Sequence, residues 1–226
     1  MSIPSQEQVT LLTDYDAGSP YNIAYQTLYA NIRFNWDSER IKQQTLLITT
    51  PVATPRQSEV VANVAIVAAQ SGTPTIVIDA NFRAPSLQQR FSQGESKGLS
   101  DLLTGNVPQP QAIGSYLCAT FVPGLRLLYT GKAPIQTPNP LLSENLRDVI
   151  AGLRQFLAET ETKPSLVIFN SPPVLAGLEA SAISSLVEQT FLTIIRGRTT
   201  RTHAKQAQEQ LQRAHAKLAG VILLDL

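Results

Sequence analysis

Short apolar runs alternate with amphipathic or alanine-rich stretches along most of this chain, and that alternation predicts its elements. Residues 46–48, 75–79, 125–129, 166–169, 191–195 and 221–224 are runs of the kind that form strands buried on both faces. Between them lie stretches with helical spacing. The first, from Ser19 as N-cap and Pro20 at the first helical position to about Trp36, carries Ile23, Ala24, Thr27, Leu28, Asn31 and Ile32. The second covers 60–70, rich in Ala and Val, and stops at Gly72. The clearest covers 142–157, where Leu142, Leu146, Val149, Ile150, Leu153, Phe156 and Leu157 form one stripe. Two more cover 179–188 and 200–218, the latter with Ala204, Ala207, Leu211, Ala214 and Leu218 facing inward. Short helices are expected over 84–91 and 98–103, with Ser100 as a cap, and irregular or short helical structure over 106–120, where Pro and Gly recur. Apolar strands alternating with helices imply parallel pairing in an α/β, three-layer αβα sandwich with a mostly parallel central sheet. Residues 1–18 are polar and aperiodic and are expected to form a flexible lead, leaving 19–226 as a single domain.

Composition narrows the function. A hydrophobic fraction of 43% argues against disorder, and a net charge of +1 supplies no field to recruit nucleic acid. One cysteine, Cys118, excludes an internal disulfide and a cysteine-based metal site; it is expected to be a small buried hydrophobe. No basic segment followed by an apolar core opens the chain, and no run reaches the ~18 apolar residues a membrane helix requires. These features predict a cytoplasmic protein that meets a membrane only through a partner or a surface.

The stretch from Leu46 to Gly72 organises the chain as strand, loop and helix. In nucleotide-binding proteins such a loop offers glycines, backbone N–H groups and a lysine to phosphates at the positive end of a helix. Here it is Thr50-Pro51-Val52-Ala53-Thr54-Pro55-Arg56-Gln57-Ser58, with neither glycine nor lysine. Asp79 ends the next strand, where open α/β sheets place ligands.

The words of the chain resemble those of the cytoplasmic kinase domain of the bacterial tyrosine kinases (BY-kinases) of capsule and exopolysaccharide assembly. Those kinases are relatives of MinD/ParA-type P-loop ATPases with a deviant Walker A loop. The matching words run in order: Ser19-Pro20, Ala24-Tyr25 and Thr27-Leu28; Ile48-Thr49; Ala62-Asn63; Ile78-Asp79-Ala80; Arg83 with Pro85-Ser86-Leu87; Gly98-Leu99-Ser100-Asp101-Leu102-Leu103-Thr104-Gly105; Pro138-Asn139-Pro140; Ser171-Pro172-Pro173-Val174-Leu175-Ala176; Arg196-Gly197 with Thr199-Thr200-Arg201. The resemblance implies a P-loop NTPase-like fold. For intact members it also implies ATP, magnesium and protein-tyrosine kinase activity.

The departures from that pattern fall on its charged positions. The family's Gly-x-Gly-Lys-[Ser/Thr] is Thr54-Pro55-Arg56-Gln57-Ser58, so only Ser58, the magnesium-side hydroxyl, survives. In Asp-x-Asp the first acid is Asp79 and the second is Asn81; the Walker B acid is Asn170; the acid after it is Glu179; and the asparagine near adenine aligns with Leu224. The Glu-x-x-Arg-x-x-Arg of the family's ring contacts is replaced by Ile23, Gln26 and Tyr29, and the tyrosine-rich tail has no counterpart after Tyr129. Phosphoryl transfer depends on lysine and magnesium cancelling charge at the γ-phosphate, and magnesium favours carboxylates. Gln57, Asn81 and Asn170 bring neither, so no catalytic residue and no bound metal or cofactor are expected.

The expected function is that of a degenerate, pseudokinase-like domain serving as a binding, scaffolding or regulatory component of polysaccharide biosynthesis and export. The resemblance implies an inner-membrane polysaccharide co-polymerase as partner, a peripheral position at the inner face of the membrane, and a monomer or dimer in place of the ring. Two alternatives stand beside it. One is a residual ATP-binding tyrosine kinase using Arg56, Gln57, Ser58 and Asp79, with Ser58 and Asp79 as the metal candidates. The other is a MinD/ParA-like positioning protein. Blander roles are open for the same residues: Asp79 as a locally paired strand-end acid, and Arg56 as a solvated loop arginine. Arg196, Arg198 and Arg201 suit either a basic patch or a solvated helix entry; Tyr21, Tyr25 and Tyr29 form a packing stripe; and His203 and His215 are too far apart for one metal.

Overall fold

A computed structural model describes residues 11–36, 40–91, 97–105, 109–131 and 139–225. The first ten residues of the expected lead, residues 106–108 and Pro138 lie outside the described residues. Seven strands form one sheet in the order β3-β4-β2-β5-β1-β6-β7, where β1 is Gln43–Thr49, β2 Thr75–Asp79, β3 Leu117–Ala119, β4 Leu125–Leu128, β5 Ser165–Asn170, β6 Gln189–Ile195 and β7 Leu218–Leu224. Every pairing is parallel except β3 with β4. The helices are α1 (Pro20–Phe34), α2 (Arg56–Gln70), α3 (Leu87–Arg90), α4 (Leu99–Thr104), α5 (Pro110–Ile113), α6 (Asn145–Thr160), α7 (Glu179–Ser184) and α8 (Arg201–Arg213).

The sheet separates two large apolar cores, as a three-layer sandwich requires, and a smaller cluster of Val174, Ala180, Leu192, Ala207 and Leu211 lies under α8. One large core joins α1 and α2 to residues such as Leu46, Ile48 and Val77; the other joins α6 to Leu47, Ile76, Val167 and Phe169. Alternate residues of one strand feed opposite cores. Helix α2 is nearly engulfed, with Val60 to Ala69 all buried, which is why its sequence is Ala- and Val-rich with little polar face. Ser19 caps α1 by accepting from the Asn22 N–H at 3.2 Å, and Tyr25 and Tyr29 are buried on its inner face.

The structure departs from the sequence expectations in five places. Leu11 and Leu12 are buried and the Leu12 N–H donates to Asn63 Oδ1 at 2.9 Å, while Asn22 Nδ2 donates to the Tyr15 and Asp16 carbonyls at 3.0 and 2.8 Å, so the described end of the expected lead is tied to the domain although residues 13–18 are exposed. The third sequence helix starts at Asn145, because Asn139 caps a separate turn, Pro140–Leu142, that leaves Leu142 half exposed. The helices expected to 188 and 218 stop at Ser184 and Arg213; in the second case His215 takes a left-handed φ of 57° and Leu218 opens β7. Residues 117–119, expected to be irregular, form the antiparallel edge strand β3, and Cys118 within it is only half-buried. Ser100 does not cap α4; the cap residue is Gly98, whose N–H donates to Asp101 Oδ2 at 2.8 Å and whose lack of a Cβ admits the Gly131 backbone.

Candidate functional site

Strand order places the altered positions side by side. Asp79 ends β2 and Asn170 ends β5, and the two are direct register partners; β1 flanks β5 on the other side and delivers the 50–58 loop to the same sheet end. Parallel neighbours with matched C-terminal ends leave their last side chains converging there, at the position where this fold binds ligands.

At that convergence the side chains form one hydrogen-bonded chain. Thr50 Oγ1 donates to Gln57 Oε1 at 2.7 Å; Gln57 Nε2 donates to Asn170 Oδ1 at 3.0 Å and to the Ser171 carbonyl at 2.5 Å; Asn170 Nδ2 donates to Asp79 Oδ1 at 2.9 Å. Asp79 Oδ1 also accepts from the Asn81 N–H at 3.2 Å, and Oδ2 accepts from the N–H groups of Ser86 and Leu87 at 2.8 and 2.9 Å. Gln57, Asn170 and Asp79 are all buried. Burial pushes the Asp79 carboxyl above its ordinary value, while the hydrogen bonds from Leu87, Ser86, Asn170 and Asn81 pull it back. A carboxylate with four donors satisfies its lone pairs within the protein.

The loop is closed over this chain from outside. Arg90 Nε donates to Ser58 Oγ at 2.9 Å and Arg90 Nη2 donates to the Pro55 carbonyl at 3.1 Å. Desolvation lowers the Arg90 guanidinium from its usual range, and Glu59 opposes that shift. Arg56 Nη1 bonds Glu59 Oε2 at 2.8 Å, and Glu59 Oε1 in turn accepts from the Tyr21 hydroxyl at 3.0 Å. On the far side, the Val174 and Leu175 N–H groups bond the carbonyls of Thr50 and Pro51 at 2.8 and 3.1 Å. A cleft of about 690 Å³ remains outside this assembly, between the 53–59 loop, the 81–90 segment and residues 173–176.

The structure therefore brings together Gln57, Asp79 and Asn170, with Ser58 and Arg56 beside them but engaged elsewhere. Asn81 contributes its backbone to Asp79, and its side chain accepts from the Ala84 N–H at 3.3 Å. Glu179 lies apart, with Arg83 Nε and Nη2 at 2.9 and 2.6 Å and Asn139 Nδ2 at 2.8 Å, all donating to Oε1. Leu224, aligned with the adenine asparagine, is a residue of β7 at the sheet edge. Sequence reasoning missed Arg90, the Thr50 hydroxyl and the Arg83–Glu179 pair. Arg90 carries no motif, and its partner Ser58 is remote in the chain, so only proximity in the fold joins them.

A mostly parallel αβα sheet with a strand–loop–helix running from the inner strand β1 into α2 defines the P-loop ATPase-like class. Among relatives of this chain are the tyrosine-protein kinase YwqD of Bacillus subtilis (strain 168), 29% identical over 201 residues that cover 88% of this chain and 78% of the relative, and the tyrosine-protein kinase CpsD of Streptococcus agalactiae, 28% identical over 201 residues, covering 88% and 81%. Solved structures similar to it include the chimerical protein CapA2B2 (24% identity, TM-score 0.78, covering 95% of this chain and 88% of that one) and the BceF tyrosine kinase domain (27%, 0.71, 89% and 75%). The septum site-determining protein MinD of Pyrococcus horikoshii OT3, solved with Mg-ADP, shares the fold at 17% identity and a TM-score of 0.61, covering 80% of this chain and 70% of that one. No family model matches the chain. The homologues of this chain are bacterial tyrosine kinases, and its structural neighbours are bacterial tyrosine kinase domains and MinD-like P-loop ATPases.

Proposed function

We propose that this chain is a catalytically inactive relative of the bacterial tyrosine kinases that acts as a binding or scaffolding component of capsular and exopolysaccharide biosynthesis and export. The observation that carries this reading is the buried bond from Gln57 to Asn170, which puts a neutral amide pair where the family pattern calls for a lysine and a carboxylate. The donor set does not fit a magnesium-bound triphosphate. Gln57 carries no charge, Asp79 has all its lone pairs engaged by donors, and Ser58 Oγ already accepts from Arg90. The rearranged-kinase alternative needs Arg56, Ser58 and Asp79 to turn toward a ligand, and each has a protein partner. The MinD/ParA-like alternative needs the same missing lysine.

The first helix supports a changed assembly. Of the helix positions that carry the family's ring contacts, Tyr29 is buried and bonds Thr73 Oγ1 at 2.6 Å, while Ile23 is half exposed. Among the described residues no helix is long and apolar enough to cross a membrane. The partner in this reading is a membrane protein such as a polysaccharide co-polymerase. Pull-down of the full chain with co-polymerase cytoplasmic segments from its host, paired with an ATP phosphoryl-transfer assay, tests the reading. Capture without phosphorylation is expected; tyrosine phosphorylation by this chain would overturn it.

A further inference from the structure

Of the six tyrosines in the chain, Tyr15 is set apart by what its hydroxyl does not touch. Tyr25, Tyr29 and Tyr129 are buried, and the Tyr29 hydroxyl pairs with Thr73 Oγ1. The Tyr21 hydroxyl donates to Glu59 Oε1 and accepts from Asn63 Nδ2 at 2.8 Å, and Tyr116 packs half-buried against the core around α6. Tyr15 is 39% exposed, and among the described residues its hydroxyl makes no hydrogen bond. Its ring is nonetheless placed, leaning on Tyr21 with centroids 4.3 Å apart. The backbone here is a loop leading from the turn Leu12–Asp14 to Ser19, the cap of α1. Asn22 anchors that loop by its Tyr15 and Asp16 carbonyls, and the side chains of residues 13–18 are left exposed.

The charges beside Tyr15 are of one sign. Asp14 precedes it, Asp16 follows it, and no basic residue comes before Arg33 in the chain. An exposed tyrosine oxygen without a partner can approach a γ-phosphorus in line, and flanking carboxylates complement the cations that a phosphoryl-transfer site gathers around ATP. We propose that Tyr15 is a phosphorylation site, the acceptor of an active ATP-dependent protein-tyrosine kinase that recognises it through Asp14 and Asp16. The Tyr15 oxygen bonds to the γ-phosphorus of ATP as the bond from that phosphorus to the bridging oxygen breaks. ADP leaves, and the hydroxyl proton passes to a base of the kinase. The product places about −1.5 to −2 of added charge between two carboxylates. A second enzyme is needed because, on the inactive reading proposed above, this chain transfers no phosphate itself.

The test incubates the full chain with ATP and magnesium, with and without a purified active bacterial tyrosine kinase, and reads the modified residue by mass spectrometry. Phosphate on Tyr15 only when the kinase is added is expected. Tyr15→Phe should abolish incorporation with an unshifted melting transition, since the ring stays and the lost hydroxyl had no partner. Asp16→Lys should slow incorporation several-fold, and Tyr116→Phe should leave it unchanged. No incorporation, phosphate confined to other tyrosines, undiminished incorporation in Tyr15→Phe, or an unslowed Asp16→Lys would each overturn the proposal. Phosphate entering Tyr15 without the added kinase would instead overturn the inactive reading and support Tyr15 as the acceptor.

Discussion

Gln57 Nε2 lies 3.0 Å from Asn170 Oδ1, joining the first turn of α2 to the end of β5 by a bond between two amides. Two positions where the resemblance calls for opposite charges have become a donor and an acceptor of matched geometry. A buried lysine without its carboxylate, or the reverse, leaves an uncompensated charge, so the two changes stabilise the domain only as a pair.

That coupling predicts a non-additive mutant cycle. Asn170→Asp places a second carboxylate against Asp79 and removes a donor from it, and should destabilise the domain by ~1–3 kcal/mol at neutral pH. Its two carboxyls would hold a proton in the folded state that the unfolded chain releases, so the loss should grow as pH rises from 5 to 7 by the linkage between binding and stability. Adding Gln57→Lys should recover part of the loss, with an interaction energy of ~0.5–3 kcal/mol in urea unfolding. Additive single changes would show that the residues do not act as a unit.

Asp79→Asn is nearly isosteric yet should not be silent. All four partners of Asp79 are donors, and an amide would turn its own N–H groups toward some of them. A loss of ~1–3 kcal/mol is expected from equilibrium unfolding.

Arg90→Ala should open the loop with little effect on the core. It removes the bonds to Ser58 Oγ and the Pro55 carbonyl. Amide exchange should accelerate over residues 53–59 and stay unchanged in β1 and β5. A general acceleration would mean that Arg90 supports the whole fold.

The tyrosines of α1 predict alkaline sensitivity. Burial raises the hydroxyls of Tyr21, Tyr25 and Tyr29 above their ordinary value. In the unfolded chain they ionise near pH ~10, so the folded state holds protons that the unfolded state loses and stability falls as pH rises beyond that point. The denaturant midpoint should be level from pH 8 to 9 and drop above pH ~10, and Tyr25→Phe should flatten the drop.

The sequence displays what periodicity and continuous burial encode. Runs such as 75–79 and 166–169 are apolar because they are covered on both faces, and Asp79 stands out because it ends one of them. Boundaries were less legible where spacing runs on past a turn. Leu218 continues the four-residue rhythm of Leu211, yet a left-handed residue at 215 intervenes and sends it into β7. The three residues of β3 are too few to show alternation. At the site, the lost charges were visible one by one in the chain. That Gln57 and Asn170 bond each other, and that Arg90 takes the Ser58 hydroxyl, follow only from the order of β2, β5 and β1 and the approach of α3.

The proposed replacement of a nucleotide site by internal hydrogen bonds is tested most directly by calorimetric titration of the full chain with ATP and magnesium. It predicts heats equal to dilution and an unshifted melting transition at saturating ATP. Micromolar affinity, or a melting transition that rises with ATP concentration, would contradict it.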